Sequence, residues 1–330
     1  MKNFELILPF GIPPAGLEKD LLRQLQTPAL ARLIAAAGKP QVQIIDDFAR
    51  ASAHEYWLAG QFPPESRANS PSDTWNKMRE YGMAPKTGYW FTMQAVHIHI
   101  ARDHLVLTDQ RRLELDDAEA RTLFSIAQST CTELGMELRY GDAYTWFLRN
   151  DDWADLSTAT ADAACGHNID IWMPQGQHER AWRKLQNEIQ MLWFAHDINE
   201  ERAMRGAKPV NSVWLSGGAG GYLDTQLSIG RSASMAQHRQ QTPAHQIVLL
   251  TQLTEASING DWAIWLEQMQ QLEQDWFAPA LQALRDKHLH QLTLTISDAR
   301  KLARFVVTPW ALRKFWIKPS LHHLFTITTP

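Results

Sequence analysis

The chain has 330 residues, 45% of them hydrophobic and 21% charged, with a formal net charge of −4. This composition excludes wholesale disorder, and the charge balance lacks the Lys/Arg excess of a nucleic-acid-binding protein. The length exceeds what one hydrophobic core usually supports, so one large domain with an insertion, or two domains, is expected. Two cysteines, Cys131 and Cys165, exclude a disulfide framework. Fourteen tryptophans call for large buried side chains, with a few left for partner contacts. No apolar run approaches the roughly 18–20 residues of a membrane helix, and the first ten residues are too short for a signal-peptide core. A cytoplasmic protein with reduced thiols is expected, with neither a nucleic-acid nor a membrane partner.

Phe4 to Leu8 predicts a strand, stopped by Pro9. A loop follows, Gly11 to Gly16, and then Leu17 to Ala37 reads as helical with a break at Thr27-Pro28. Thr27 suits an N-cap and Pro28 the first helical position. Leu30, Leu33 and Ile34 share a face, and Gly38 ends the helix. Phe62 to Lys86 is rich in Pro, Ser and Gly and predicts irregular structure. Tyr89 to Ile100 is strand-like, Arg102 to Leu115 predicts a hairpin, and Asp116 to Gly135 predicts a helix with acids in its first turn. Met136 to Tyr140 and Ala143 to Leu148 predict two strands about a Gly141-Asp142 turn.

Gln177 to His196 carries Trp182, Leu185, Ile189, Leu192 and Trp193 at helical spacing, and Asp261 to Ala280 does the same with Trp262, Trp265, Met269, Leu272 and Trp276. Between them lie a short strand, Val213 to Leu215, a glycine run ending at Gly221, and an apolar strand from Ile247 to Leu250. Leu292 to Ile296 is a further strand. Strand, turn-rich loop and helix in alternation predict an α/β protein.

Few segments carry a recognisable chemistry. Ser216 to Gly221 fails as a dinucleotide fingerprint because residue 223 is Leu, which leaves a flexible turn as the reading. His97 and His99 share a strand face, with no third metal ligand beside them. The densest polar cluster runs from His196 to Trp214. Arg202 and Arg205 offer planar forks to an anion, while Asn199 and Asn211 are equally able to tie down the loop's own backbone. Both readings stay open from the residues alone.

That same cluster resembles a family signature. Through His196, Asn199, Arg202, Gly206, Pro209, Asn211-Ser212, Trp214 and Gly217 the chain is similar to archaeal-type cofactor-independent phosphoglycerate mutases, with Asp197 where the family has Pro. Leu6 to Gly38, Asp109 to Leu148 and Ile247 to Thr308 follow the order of the family's elements. Gly88-Tyr89-Trp90, Val96-His97, Asn187-Glu188, Trp276-Phe277 with Pro279, and Leu312-Arg313 with Phe315-Trp316 are similar to a proteobacterial branch of RpfE-type regulatory proteins.

The resemblance implies an alkaline-phosphatase-like α/β fold, a mixed sheet flanked by helices with an inserted small α+β subdomain. The insertion is expected at 90–165, within a discontinuous main domain of 1–89 and 166–330. The resemblance also implies two divalent metals and a phosphorylated Ser, and here the chain departs from it. The first strand ends in Pro9-Phe10-Gly11 where the family has Asp-Gly. Ser297-Asp298-Ala299 keeps an Asp and lacks the His after it, and Glu255 to Asp261 lacks another His. Ser66 and Ser70 lie near the place of the phosphorylated Ser without matching its context.

The expectation is therefore a non-catalytic, regulatory mutase-like protein without metal or cofactor. Its anion-binding candidates are His196, Asn199, Arg202, Asn211 and Trp214, for an anionic small molecule, and Asp298 is a residual metal-site position. A protein partner is the other expected ligand. One alternative is an enzyme of altered chemistry using His97, His196 or Asp298. Another is an interaction module built on Trp310, Phe315 and Trp316.

Overall fold

The computed structural model describes residues 2–61, 70–220, 229–230, 234–237, 247–314 and 316–325. Its strands, in chain order, are β1 (Lys2–Leu8), β2 (Gln41–Ile44), β3 (Tyr89–Val96), β4 (Ile98–Ala101), β5 (His104–Leu107), β6 (Glu137–Asp142), β7 (Thr145–Arg149), β8 (Ser212–Gly220), β9 (Ile229–Gly230), β10 (Ile247–Leu249), β11 (Leu289–Ser297) and β12 (Lys301–Val307). The chain divides into two compact units, 1–47 with 226–330, and 48–225.

The first unit holds a mixed sheet, as the resemblance implies, in the order β2-β12-β11-β1-β10-β9. β1 lies inside it, parallel to β10 with Leu6 opposite Val248, and parallel to β11 with Leu6 opposite Leu294. β12 runs antiparallel to β11 and to β2. A strand covered on both faces must be apolar at consecutive positions, and Leu6, Ile7 and Leu8 are all buried. The helices Pro28–Ala37, Trp262–Leu272 and Ala278–Arg285 flank the sheet and share its core through Leu30, Leu33, Ile34, Trp265, Met269, Leu281 and Leu284.

The expected helix 261–280 is not uniform. It runs as α-helix to Leu272, widens into a π-turn over Glu273–Phe277, and resumes at Ala278. Pro279 supplies a reason, because it has no amide to donate backward and sits comfortably only in a first turn. The π-turn places Glu273 against the start of the helix Pro28–Ala37. Its carboxylate accepts the amides of Ala29 at 2.5 Å and Leu30 at 3.1 Å. Thr27, the expected cap, makes no side-chain cap bond. The capping group thus comes from 244 positions away in sequence.

In the second unit, β6-β7-β3-β8 form an antiparallel sheet and β4-β5 a separate hairpin. The expected hairpin at 102–115 is displaced: the chain turns at Arg102-Asp103, with Arg102 in the left-handed region at φ 58°, and Gln110–Leu113 is a single 3-10 turn. The β6–β7 turn falls at Ala143-Tyr144, where the Asp142 carboxylate accepts the Tyr144 amide at 2.9 Å. The glycine run is no flexible turn either. β8 continues through it to Gly220, its pairing with β3 broken at Gly217 and Gly218 and resumed at Ala219. The helix Glu179–Phe194 buries Trp182, Leu185, Ile189 and Trp193 as expected, but Leu192 is exposed.

The segment 90–165 lies wholly within this unit, which also takes in 48–89 and 166–225. β8 completes the sheet beside β3, and the helix Glu179–Phe194 shares one core with the helix Asp117–Glu133. Among the described residues no helix is long and apolar enough to cross a membrane.

Removing the Glu273 carboxylate leaves two buried amides unanswered. Glu273→Ala is expected to cost about 1–2 kcal/mol, the usual loss of a helix cap, measured by urea denaturation. An unchanged midpoint would contradict this role.

Candidate functional site

The signature loop of the second unit is tied to its own protein at every predicted position. Arg202 is fully buried. Its Nε donates to the Lys208 carbonyl at 2.8 Å, Nη1 to Glu119 at 2.6 Å, and Nη2 to the Leu113 carbonyl. Arg205 donates to the other oxygen of Glu119. Asn199 Nδ2 donates to the carbonyls of Trp193 and Val210, each at 3.0 Å, while its Oδ1 accepts the Val210 amide at 2.8 Å. Asn211 makes a similar pair of bonds with the backbone of Ile98, both at 2.8 Å. Trp214 is buried and donates its indole N–H to Ala159 at 2.8 Å. His196 caps the helix Asp197–Met204, its Nδ1 accepting the Ile198 amide at 3.2 Å. Buried polar groups require partners, and these side chains find them within the fold.

The strand ends of the first unit were the other predicted place. β1 is followed by Pro9 and Phe10, both buried, with Phe10 in the left-handed region at φ 56°. The Phe10 carbonyl accepts the Trp265 indole N–H at 2.9 Å. A Cβ on Gly11 would meet the Ile296 and Leu8 side chains at 2.7 Å, so a larger residue here would have to push them aside. Asp298, at the end of the adjacent β11, accepts the amides of Arg300 at 2.7 Å and Lys301 at 2.6 Å, which closes the turn into β12. Ser297 is fully buried.

A divalent pair needs several carboxylates or imidazoles converging on one point. Here the positions carry a proline, a phenylalanine, an alanine and one turn-closing aspartate, and this set does not fit such a centre. Among the described residues no three His, Cys, Asp or Glu side chains come together as a metal site.

His97 and His99 stack their rings 5.8 Å apart. His97 Nδ1 donates to the Pro209 carbonyl at 2.8 Å, and burial lowers its pKa. His99 Nδ1 lies 3.1 Å from the Thr108 hydroxyl. Asp298 belongs to the first unit and His97 and His196 to the second. Trp310 and Trp316 are each 67% exposed, with Lys314 over the Trp310 ring. Phe315 and Ser66 lie outside the described residues.

The second unit also assembles a polar cluster with no counterpart in the sequence reading. Glu55, in the first turn of the helix Ala53–Ala59, accepts at Oε2 from the Ser52 amide at 2.9 Å, the Ser52 hydroxyl at 2.8 Å and the Thr160 hydroxyl at 2.8 Å. Thr160 caps Ala161–Ala164, and Asp162 in that turn is held by Arg111, which also grips Asp109. Burial, reinforced by the Asp162 charge and opposed by the Ser52 bonds, pushes the Glu55 carboxyl up to about 7.

Two residues before Thr160, Thr158 takes its place among buried hydroxyls. Its amide donates to Ser70 at 2.5 Å and its hydroxyl to the Gly217 carbonyl at 2.7 Å. Thr74 stands 3.0 Å from Thr92 and accepts from Ser72 at 3.0 Å. A Cβ on Gly217, at φ 69°, would lie 2.6 Å from the Thr74 hydroxyl, which explains why β8 crosses this cluster on glycines.

The Ser52-x-x-Glu55 spacing is a capping-box signal readable in the sequence. The meeting of Glu55 with Thr160, 105 positions on, is not.

No protein-family model matches the chain, and no curated protein matches it. Among solved structures, the cofactor-independent phosphoglycerate mutase from Thermoplasma acidophilum DSM 1728 is similar at 12% identity, over 99% of this chain and 95% of that one, with a TM-score of 0.38. The PH0037 protein from Pyrococcus horikoshii is similar at 12% identity, over 93% of this chain and 87% of that one, with a TM-score of 0.45.

Two outcomes follow from the geometry. Arg202→Ala leaves the Lys208 and Leu113 carbonyls and one oxygen of Glu119 without their guanidinium donor, while Arg205 still holds the other oxygen, and is expected to cost about 3 kcal/mol in urea denaturation, the lower end of the penalty for halving a buried ion pair. The loss should be the same with and without inorganic phosphate, whereas a phosphate-dependent difference would indicate an anion site. Glu55 is governed by proton linkage. The folded unit holds its proton more tightly than the unfolded chain, whose ordinary value is 4.5. The resulting stability is complete below about pH 4.5 and is lost as pH rises through about 7, amounting to at most about 3 kcal/mol. Glu55→Gln keeps a neutral acceptor and should flatten the fall in stability between pH 5 and 8.

Proposed function

We propose that this chain is a phosphoglycerate mutase-like scaffold of the alkaline-phosphatase-like type that lacks the two-metal phosphoryl-transfer centre and acts by binding, in a regulatory role. The single observation that carries this reading is the end of β1. Where the resembled enzymes present an acid to a cation, this chain turns through buried Pro9 and Phe10 and stacks Gly11 on Ile296. Metal ions would supply phosphoryl transfer with a nucleophile of lowered pKa and with charge neutralisation. Among the described residues no cluster of ligands comes together to hold them, and Asp298 is engaged by its own turn.

The signature loop then serves as a brace. Arg202, Asn199 and Asn211 join the loop to the helix Asp117–Glu133 and to the hairpin β4–β5, which accounts for those residue types without a ligand. Exposed Trp310 and Trp316 offer aromatic surface to a protein partner.

A second reading, an enzyme of altered chemistry, draws on Glu55, because a carboxyl poised near neutrality is able to accept or donate a proton. One set of assays separates the two. The purified chain is equilibrated with Mn²⁺ or Zn²⁺, desalted, and examined by elemental analysis, phosphoglycerate isomerisation and hydrolysis of an aryl phosphate. The expected result is no stoichiometric metal and no turnover. Two bound equivalents with turnover would sink the first reading, and a hydrolysis lost in Glu55→Gln with a pH midpoint near 7 would favour the second.

A further inference from the structure

The six-stranded sheet ends at β2, and no described strand lies beyond it. All four residues, Gln41-Val42-Gln43-Ile44, are exposed, Val42 at 45% and Ile44 at 70%. Sheet edges are ordinarily protected by an inward charge, a proline or a bulge. Apart from its shortness, β2 has none of these within it.

The inner side of β2 determines what its outer side offers. β2 pairs antiparallel with β12, Ile44 opposite Lys301 and Val42 opposite Ala303. The Ile45 amide donates to the Arg300 carbonyl at 2.9 Å. In an antiparallel ladder alternate residues turn both N–H and C=O to the same neighbour. Gln41, Gln43 and Ile45 therefore face β12, and Val42 and Ile44 present their backbone groups to the open edge.

We infer that this edge pairs antiparallel with the same edge of a second copy of the chain, across a two-fold axis at Gln43, so that two six-stranded sheets become one. Outward-facing residues must meet outward-facing residues, and this register satisfies that rule. Val42 meets the partner's Ile44, Ile44 meets the partner's Val42, and the four exposed apolar side chains gather on one face. Continued past β2 into the flanking bend and turn, this register brings exposed Lys39 toward the partner's Asp47, whose carboxylate accepts from its own Arg300 at 2.6 Å and would lie between the two cations, once on each side of the axis.

The neighbouring registers lose this fit. A shift of two residues one way sets Ile44 against the partner's Pro40, which has no amide to donate. The opposite shift sets Val42 against the partner's Asp46. Self-complementarity of charge and of apolar surface in one register favours a second copy over an unrelated strand.

Cysteine trapping tests the register directly. In a Cys165→Ser background, with Cys131 fully buried, Gln43→Cys places two thiols across the axis in a non-hydrogen-bonded pair, about 4.5 Å apart at Cα. Gln41→Cys places them four residues apart, about 14 Å along the strand, beyond the reach of a disulfide. Under mild oxidation Gln43→Cys should give about tenfold more covalent dimer than Gln41→Cys. Val42→Pro removes an outward amide while sparing the β12 ladder, and it should turn a sedimenting dimer into a monomer with unchanged far-UV circular dichroism. Equal trapping at 41 and 43, or a wild-type chain that sediments as a monomer at all concentrations, would overturn the inference.

Discussion

A guanidinium withdrawn completely from water must have its N–H groups answered by the protein, and Arg202 organises the second unit around that demand. Its partners come from the 3-10 turn ending at Leu113, from Glu119 in the following helix, and from the Lys208 carbonyl in its own loop. Glu119 in turn caps its helix with Asp116 and receives Arg205. An ion pair in such a place contributes little net stability against an apolar substitute, but it penalises every arrangement that leaves one charge alone. The loop is thereby held in one position, and Asn199 and Asn211 extend the same logic to Val210 and Ile98.

The ends of β1 and β11 follow the opposite principle. Apolar groups close the chain tip with Phe10 turned inward, and the one carboxylate present completes a turn. A cation pair is stable only where negative ligands surround it, and an apolar, closed strand end cannot replace its hydration shell. The side chains at these two strand ends do not fit a two-metal centre. The polar residues of the signature remain useful because their hydrogen bonds are architectural.

Glu55 is the exception to this division between braced and apolar regions. It is anchored by three donors at one oxygen, yet burial and a neighbouring carboxylate keep its proton near neutrality. It ties a short helix to the 158–162 segment, and through Thr158 to the glycines of β8. Burial thus holds the Glu55 carboxyl well above the ordinary carboxylate range at the point where these segments meet.

Much of the architecture was legible in the chain itself. Consecutive apolar residues in β1 and β10, the three-four spacing of the tryptophan helices, and Pro28 and Gly38 at helix ends all follow from local rules that a sequence displays. What local rules left open was decided by contacts between distant residues. Thr27 is a sound cap by composition, yet Glu273 takes the amides. Glycines 217 and 218 suggest a turn, yet they form only a break in the register against β3, and β8 pairs on through Ala219 and Gly220. The Arg–Asn cluster has the residue types of an anion site, yet Glu119 and four backbone segments already occupy its donors. A side chain's type sets which bonds it is able to make, and the sequence states that much. Which partner arrives first, across a hundred residues or more, is settled only when the chain packs and water is excluded.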